Sequence, residues 1–245
     1  MKRAIIIGAT SGIGREVAHA LLHRGWKIGA AGRRKEALES LQKESSNQIE
    51  VEVLDVTQED AAEKLQILIH KTGGMDLFLL SSGIGFQNPN LDAAIELKTA
   101  RTNVEGFVRM TDAAFSYFKQ NGGGHLATIS SIAGTKGLGV APAYSATKRF
   151  QNTYIDALEQ LACLQGLNIR FTDIRPGFVA TDLLNDGKSY PMLMKPEAVA
   201  RKIVQAINRK KRVAVIDGRY RVLVFFWKGI PQWLWKRIPV KNPGK

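Results

Sequence analysis

The stretch Arg3-Ala4-Ile5-Ile6-Ile7-Gly8-Ala9-Thr10-Ser11-Gly12-Ile13-Gly14, "RAIIIGATSGIG", decides the fold. Its first five residues are a short apolar run rich in β-branched side chains, the composition of a strand buried on both faces. Three glycines spaced GxxxGxG follow, and then Gly14–Gly25, "GREVAHALLHRG", with helical spacing of its apolar residues. A glycine turn between a strand and a helix permits positive φ and lets backbone amides approach an anion closely. The helix N-terminus adds its partial positive charge, which suits a pyrophosphate.

The same alternation continues outward from this unit. "KIGAA" reads as strand, "KEALESLQKES" as helix, "IEVEVLDV" as strand, then a helix to about Lys71 and "MDLFLLSS" as strand. A long helical stretch from about Leu91 to Gln120 precedes "HLATISS". A helix from about Pro142 to Gln165 precedes "NIRFTDI", and a helix over Pro196–Asn208 precedes "RVAVI" at Arg212–Ile216. Regular βαβ alternation predicts an α/β fold, a doubly wound parallel sheet of about seven strands with helices on both faces, in a single domain. Residues 1–216 form the dinucleotide-binding (Rossmann-type) unit, with a substrate loop at about 181–196. Residues 217–245 form a basic, aromatic extension.

Composition narrows the class. The 245 residues are 44% hydrophobic, ordinary for a globular protein. No run reaches the length of a membrane-spanning helix, and the start has no apolar region long enough for a signal peptide, so a cytoplasmic location is expected. The single cysteine, Cys163, has no internal partner and reads as a buried helical thiol. Net charge is +13, but Arg201–Lys245 carries 13 Lys/Arg against one acid, Asp217, while the first 200 residues carry 22 basic and 21 acidic groups. The basic excess belongs to the C-terminal segment.

The second strand ends Ala30-Ala31-Gly32-Arg33-Arg34. A ribose 2′-hydroxyl would be met by an acid there; two arginines offer planar charged forks for a 2′-phosphate instead, which favours NADP(H) while leaving NAD(H) open. Arg15 is a candidate assistant. Asp55, after the third strand, is a candidate acceptor for an adenine amino group or an N-cap of the next helix.

Tyr144 and Lys148, in "AYSATK", lie four apart and share a helix face. Two readings stand for the pair alone: an ordinary contact in which the Tyr packs against the Lys stem, or a phenol held below its free pKa by the neighbouring ammonium until it can exchange protons. With these pieces the chain resembles the short-chain dehydrogenase/reductase family over roughly residues 2 to 216. The family's TGxxxGxG turn is matched at Gly8, Gly12 and Gly14, with Ile7 in place of its threonine. Its YxxxK motif falls on Tyr144 and Lys148. Its catalytic serine, thirteen residues earlier, falls on Ser131; its helical asparagine on Asn103; its Pro-Gly turn on Pro176-Gly177; and its carboxamide-binding threonine on Thr181. Where the family carries an asparagine after the fourth strand, this chain has Ser81-Ser82-Gly83.

The resemblance implies a catalytic set of Asn103, Ser131, Tyr144 and Lys148. Tyr144 would be general acid in reduction, Ser131 would donate to the developing oxyanion, and Lys148 would lower the phenol's pKa and bind the nicotinamide ribose. Asn103 would link Lys148 to solvent through water. It also implies a cofactor-binding set of Gly8, Thr10, Ser11, Gly12, Ile13, Gly14, Arg33, Arg34, Asp55, Val56, Gly83, Asn103, Tyr144, Lys148, Pro176, Gly177, Val179 and Thr181. The activity implied is interconversion of a carbonyl and a secondary alcohol by a homodimer or homotetramer. The NADP(H) preference then points to a reductase, and the apolar residues of the substrate loop to an apolar substrate. An acyl-carrier-type reductase and a non-catalytic nucleotide sensor are the alternatives.

His19 and His23, at i and i+4, lack a third ligand nearby, and no metal is assigned. The segment Arg219–Lys241, "RYRVLVFFWKGIPQWLWKRIPVK", holds three of the four tryptophans, with Pro231 expected to divide it. Two readings stand for it: a lid or subunit contact, or a segment lying on an anionic membrane surface, which would make the protein peripheral at the inner face of a membrane. Its apolar density argues against nucleic acid. Tyr190, Met192 and Met194 are expected to give the substrate loop a flexible apolar pocket.

Overall fold

The computed structural model describes residues 1–184, 187 and 189–240. Among them seven strands form one all-parallel sheet: β1 (Arg3–Ile7), β2 (Lys27–Gly32), β3 (Ile49–Val53), β4 (Leu77–Leu80), β5 (Gly124–Ile129), β6 (Ile169–Arg175) and β7 (Val213–Val215), in the order β3-β2-β1-β4-β5-β6-β7. Each strand in the sequence reading has its counterpart. The central strands show why the runs are apolar: Ile5, Ile6, Phe78 and Leu79 are fully buried because helices cover both faces. β3, at one edge, is covered less: Ile49 is buried, Glu50, Val51 and Glu52 are half-buried, and Val53 is exposed.

The helices are α1 (Gly12–Leu22), α2 (Lys35–Glu44), α3 (Ala61–Thr72), α4 (Ala93–Ala100), α5 (Gly106–Gln120), α6 (Pro142–Leu164), α7 (Pro196–Asn208), α8 (Gly218–Gly229) and α9 (Gln232–Trp235). α1, α2, α7 and α8 cover one face of the sheet through Val17, Leu38, Ile203 and Tyr220. α3, α5 and α6 cover the other through Leu65, Met110, Phe118 and Ile155. Proline opens α6 and α7, where its missing N–H costs nothing. Gly73, at φ 81°, closes α3 in the left-handed conformation.

Three expectations change. The stretch read as one helix from Leu91 to Gln120 starts at Ala93 and contains a π-helical turn, Arg101–Glu105, between α4 and α5. Cys163 is exposed, because the last turn of α6 packs through Ala162 and leaves Leu161, Cys163 and Leu164 outward. Met194 is no part of a flexible pocket: it is buried, donates its N–H to the Phe178 carbonyl at 3.0 Å, and forms a parallel bridge with Val179. Asn185, Asp186 and Lys188 of the substrate loop lie outside the described residues.

The extension beyond residue 216 packs on the main body. Tyr220, Val224 and Trp235 are buried, and Ile230-Pro231 separates α8 from α9. No described helix is long and apolar enough to cross a membrane.

Candidate active site

The order of strands reverses between β1 and β4, so the crevice of the sheet opens at their carboxyl ends. The glycine turn lies there. Gly8 has φ +91° and Gly12 φ +53°, conformations that side chains with a Cβ adopt rarely. A Cβ on Gly8 would stand 2.7 Å from the Ser82 backbone nitrogen, and one on Gly12 would stand 2.9 Å from Thr181 Cγ2. The serines that replace the family's asparagine therefore run against the turn, and Thr181 reaches it from the far side of the crevice. Gly14 is buried, and Ile13 packs on the core below.

α1 begins at this turn with Ser11 as its N-cap. No side chain caps it and no acid stands in its first turn. Its first amides keep their full donor character toward an anion. Arg34 folds over the same turn: its guanidinium donates to Thr10 Oγ1 at 3.1 Å and to Ser11 Oγ, and it meets Asp182 at 3.3 Å. Arg33 is exposed beside it. Arg15, on the first turn of α1, pairs with Glu44 at 3.1 Å. An uncapped helix end, a glycine turn and a cation at the rim form a donor set that fits a dinucleotide phosphate.

Asp55 is not the N-cap of α3, a place taken by Asp60; its Oδ1 accepts from the N–H and hydroxyl of Thr57 at 3.0 and 2.8 Å. Val56 is buried, and its carbonyl accepts from Arg109 at 2.7 Å.

The proton-handling residues gather at the ends of β4 and β5. Ser131 follows β5 and is buried; its Oγ accepts from the Ala133 N–H at 3.1 Å and donates to the Pro176 carbonyl at 3.4 Å. Tyr144 lies in the first turn of α6, half-buried, against Gly85, where a Cβ would stand 2.5 Å from the phenol ring. Burial pushes the Tyr144 phenol above its ordinary pKa, and hydrogen bonding from Ser131 opposes that. The expected depression by Lys148 does not dominate. The ammonium lies 5.7 Å from the ring centroid and turns to the Ile129 carbonyl and Gln151 Oε1, each at 3.1 Å. Burial lowers Lys148 itself to about 8, opposed by the charge of Asp173.

Asn103 sits in the π turn, fully buried. Its side chain exchanges two hydrogen bonds with the backbone of Ile84, at 2.9 and 2.7 Å, and donates to Thr147 Oγ1 at 3.2 Å. Its carbonyl accepts from Gln151 Nε2 at 2.9 Å. Gly83 faces both Asn103 Oδ1 and Lys148 Nζ. Gln151, absent from the sequence reading, thus joins Lys148 to Asn103. The only signal for it was its place one turn beyond Lys148 on the same helix face.

A second buried network supports this one. Asp173 on β6 accepts from Ser130, from Asn152 at 2.9 Å and from Arg175 at 2.8 Å. After β6, Pro176 and Gly177 lead into the substrate loop. Tyr220 of α8 lies directly against Gly177, and its hydroxyl accepts from the Phe178 N–H at 3.1 Å and donates toward Pro191 and Met192 carbonyls at 3.0 and 3.2 Å. Val179 is buried below, and Tyr190 packs on Phe178 with ring centroids 4.9 Å apart. His19 faces Glu16 and Glu44; among the described residues no group of three or more His, Cys, Asp or Glu side chains is arranged to hold a metal.

A doubly wound parallel sheet with a glycine turn at its switch point and a Ser, Tyr and Lys cluster beside it defines the class: an α/β protein of dinucleotide-binding architecture. The family model for short chain dehydrogenases matches residues 2–190. An uncharacterized oxidoreductase of Myxococcus xanthus is 36% identical over 192 residues, 74% of each chain. Dehydrogenase/reductase SDR family member 7B of Xenopus tropicalis is 27% identical over 246 residues, 91% of this chain and 79% of that one. Among solved structures, ElxO with NADP bound superposes with a TM-score of 0.79 at 23% identity, covering 90% of this chain and 99% of that one. The 3-ketoacyl-(acyl-carrier-protein) reductase of Brucella melitensis, complexed with NADH, gives 0.78 at 24%, covering 89% and 97%. The chain belongs to the short-chain dehydrogenase/reductase family, oxidoreductases of CH–OH and C=O groups.

Proposed function

We propose that the protein is an NADP(H)-dependent reductase of an apolar carbonyl, with Tyr144 as its general acid. The observation that carries this reading is the convergence of Ser131, Tyr144 and Lys148 at the ends of β4 and β5, beside the glycine turn. A bound nicotinamide dinucleotide supplies the hydride. Burial keeps the Tyr144 phenol protonated at neutral pH, the form a carbonyl reduction consumes. Ser131 donates to the carbonyl oxygen as charge grows on it. Lys148, at about 8, is still largely cationic at neutral pH and favours the phenolate that proton transfer leaves behind.

The amides of α1 and the glycine turn hold the pyrophosphate, Thr181 with Val179 and Pro176-Gly177 the nicotinamide end, and Val56 with Gly83 the wall between. Arg34 and Arg33 at the rim support NADP(H) over NAD(H), because a 2′-phosphate meets charge there that a 2′-hydroxyl does not need. ElxO, with NADP bound, and the Brucella reductase, with NADH, show that the fold accommodates either. Exposed Phe86, next to the Gly85 that packs on Tyr144, and exposed Leu193 of the substrate loop suit an apolar substrate. Assembly as a homodimer or homotetramer follows the family's habit.

The test is NADPH and NADH oxidation over ketones of rising chain length, with Tyr144→Phe beside the wild type. Turnover should prefer NADPH and longer chains. It should fall roughly a hundredfold or more in Tyr144→Phe while NADPH binding stays. Equal turnover in the variant removes Tyr144 from the mechanism.

A further inference from the structure

The C-terminal extension carries an apolar surface that no described part of the chain covers. α8 buries one side through Tyr220 and Val224. Its other side repeats Val222, Phe225, Phe226 and Gly229, the i, i+3, i+4, i+7 spacing of a second apolar stripe. That stripe faces water: Val222 is 58% exposed, Phe225 75% and Phe226 64%. α9 behaves alike, burying Trp235 against Trp227 and leaving Trp233 60% exposed. Contiguous exposed aromatic rings on a folded helix mark a surface that meets something.

Charge says what it meets. From Gly218 to Lys245 the sequence has seven Lys/Arg and no acid. Arg221 and Lys228 flank the stripe on α8, and Lys236 and Arg237 follow Trp233, all four exposed. A second copy of this chain, docked through the same face, would set cation against cation. A neutral apolar partner would leave the cations unanswered. An anionic phospholipid leaflet answers both, taking aromatic rings at the headgroup boundary and lysine or arginine at its phosphates.

We propose that α8 and α9 form a platform that docks the protein on an anionic phospholipid surface through Phe225, Phe226 and Trp233. The platform is fastened to the body near the reaction centre. Trp235 Nε1 donates to the Gly137 carbonyl and Lys136 Nζ to the Ile230 carbonyl, each at 2.7 Å, just beyond Ser131. Tyr220 ties α8 to the substrate loop. A lipid-docked molecule therefore presents its substrate entrance close to the membrane, where apolar carbonyl compounds concentrate. That last consequence rests on the reductase reading; the docking itself does not and is tested without turnover.

The experiment is co-sedimentation of the full-length protein with vesicles of phosphatidylcholine alone, or of phosphatidylcholine and phosphatidylglycerol in equal parts. The double variant Phe225→Glu/Phe226→Glu, whose sites are exposed, runs beside it with circular dichroism as a folding check. The wild type should bind the mixed vesicles, bind neutral ones far less, and release as salt rises. The variant should bind roughly tenfold more weakly or worse. Absence of binding to mixed vesicles, equal binding to neutral ones, or unchanged binding by the variant would each overturn the proposal. So would a wild-type oligomer, without vesicle binding, that the variant converts to monomer, since that assigns the face to a second copy.

Discussion

One helical turn beyond Lys148, Gln151 is almost wholly buried and uses both ends of its amide, accepting from the ammonium and donating to the Asn103 carbonyl. An acceptor at 3.1 Å favours the charged form of a lysine that burial already holds at about 8. Replacing Gln151 with leucine, similar in bulk but without an acceptor, should lower Lys148 further. The basic limb of kcat/KM for NADPH, which reports the free enzyme, then moves to lower pH. Gln151→Glu places a carboxylate there and should move the limb to higher pH. Superimposable profiles for the two variants would leave Gln151 as packing alone. The spacing of Tyr144 and Lys148 made their shared face legible because helix periodicity fixes it locally. Gln151 was not legible, because its second partner lies 48 residues away and only the tertiary structure brings them together.

At the scale of elements, the hydrophobic rhythm of residues 91–120 hid the π turn that turns Asn103 inward. One extra residue per turn scarcely alters an apolar pattern read by eye, yet such turns gather at functional positions. The reading of Arg219–Lys241 likewise found the break at Pro231 but not Tyr220's role, because its partners on the substrate loop are backbone groups and backbone has no sequence signature. The Tyr220 hydroxyl holds three such groups at the point where α8 meets Gly177 and the loop. Tyr220→Phe keeps the ring packing and deletes only those bonds, leaving the Phe178 N–H short of an acceptor. The urea midpoint should drop by an amount equivalent to about 1–2 kcal/mol with an unchanged slope. KM for the carbonyl should rise more than kcat falls, since the loop loosens while Ser131 and Tyr144 stay in place. A variant as stable as wild type would show that packing of the ring, not its hydroxyl, anchors the loop.

Across the whole molecule the sheet's two ends do different work. The alternation of strands and helices announced the parallel sheet, and a parallel sheet dictates that its carboxyl ends carry the site. The opposite ends are free to serve stability, and His125 shows it. It stands at the start of β5, with Nε2 2.8 Å from Thr172 Oγ1 on β6. Burial, then the charges of Lys210 and Arg170, lowers it to about 4. The folded protein therefore holds a neutral imidazole through a range in which the unfolded chain, near 6.5, takes up a proton. Between those values the unfolded state binds more protons, so stability rises with pH across the window and is lost as pH falls from about 6.5 to about 4. The loss should be on the order of 2–3 kcal/mol. At Asp76, burial raises the carboxyl but hydrogen bonds and charge from Arg3 outweigh it. Its contribution is lost only as pH falls below the ordinary carboxylate range, so a comparison stopped at about pH 4.5 keeps most of that effect out. His125→Gln keeps a polar group beside Thr172 and cannot titrate. Urea midpoints of both proteins at about pH 7 and about pH 4.5 give the comparison, and the variant should lose distinctly less on acidification. Equal losses would mean that His125 accepts its proton without opening the sheet, and that the acid sensitivity lies with the carboxylates.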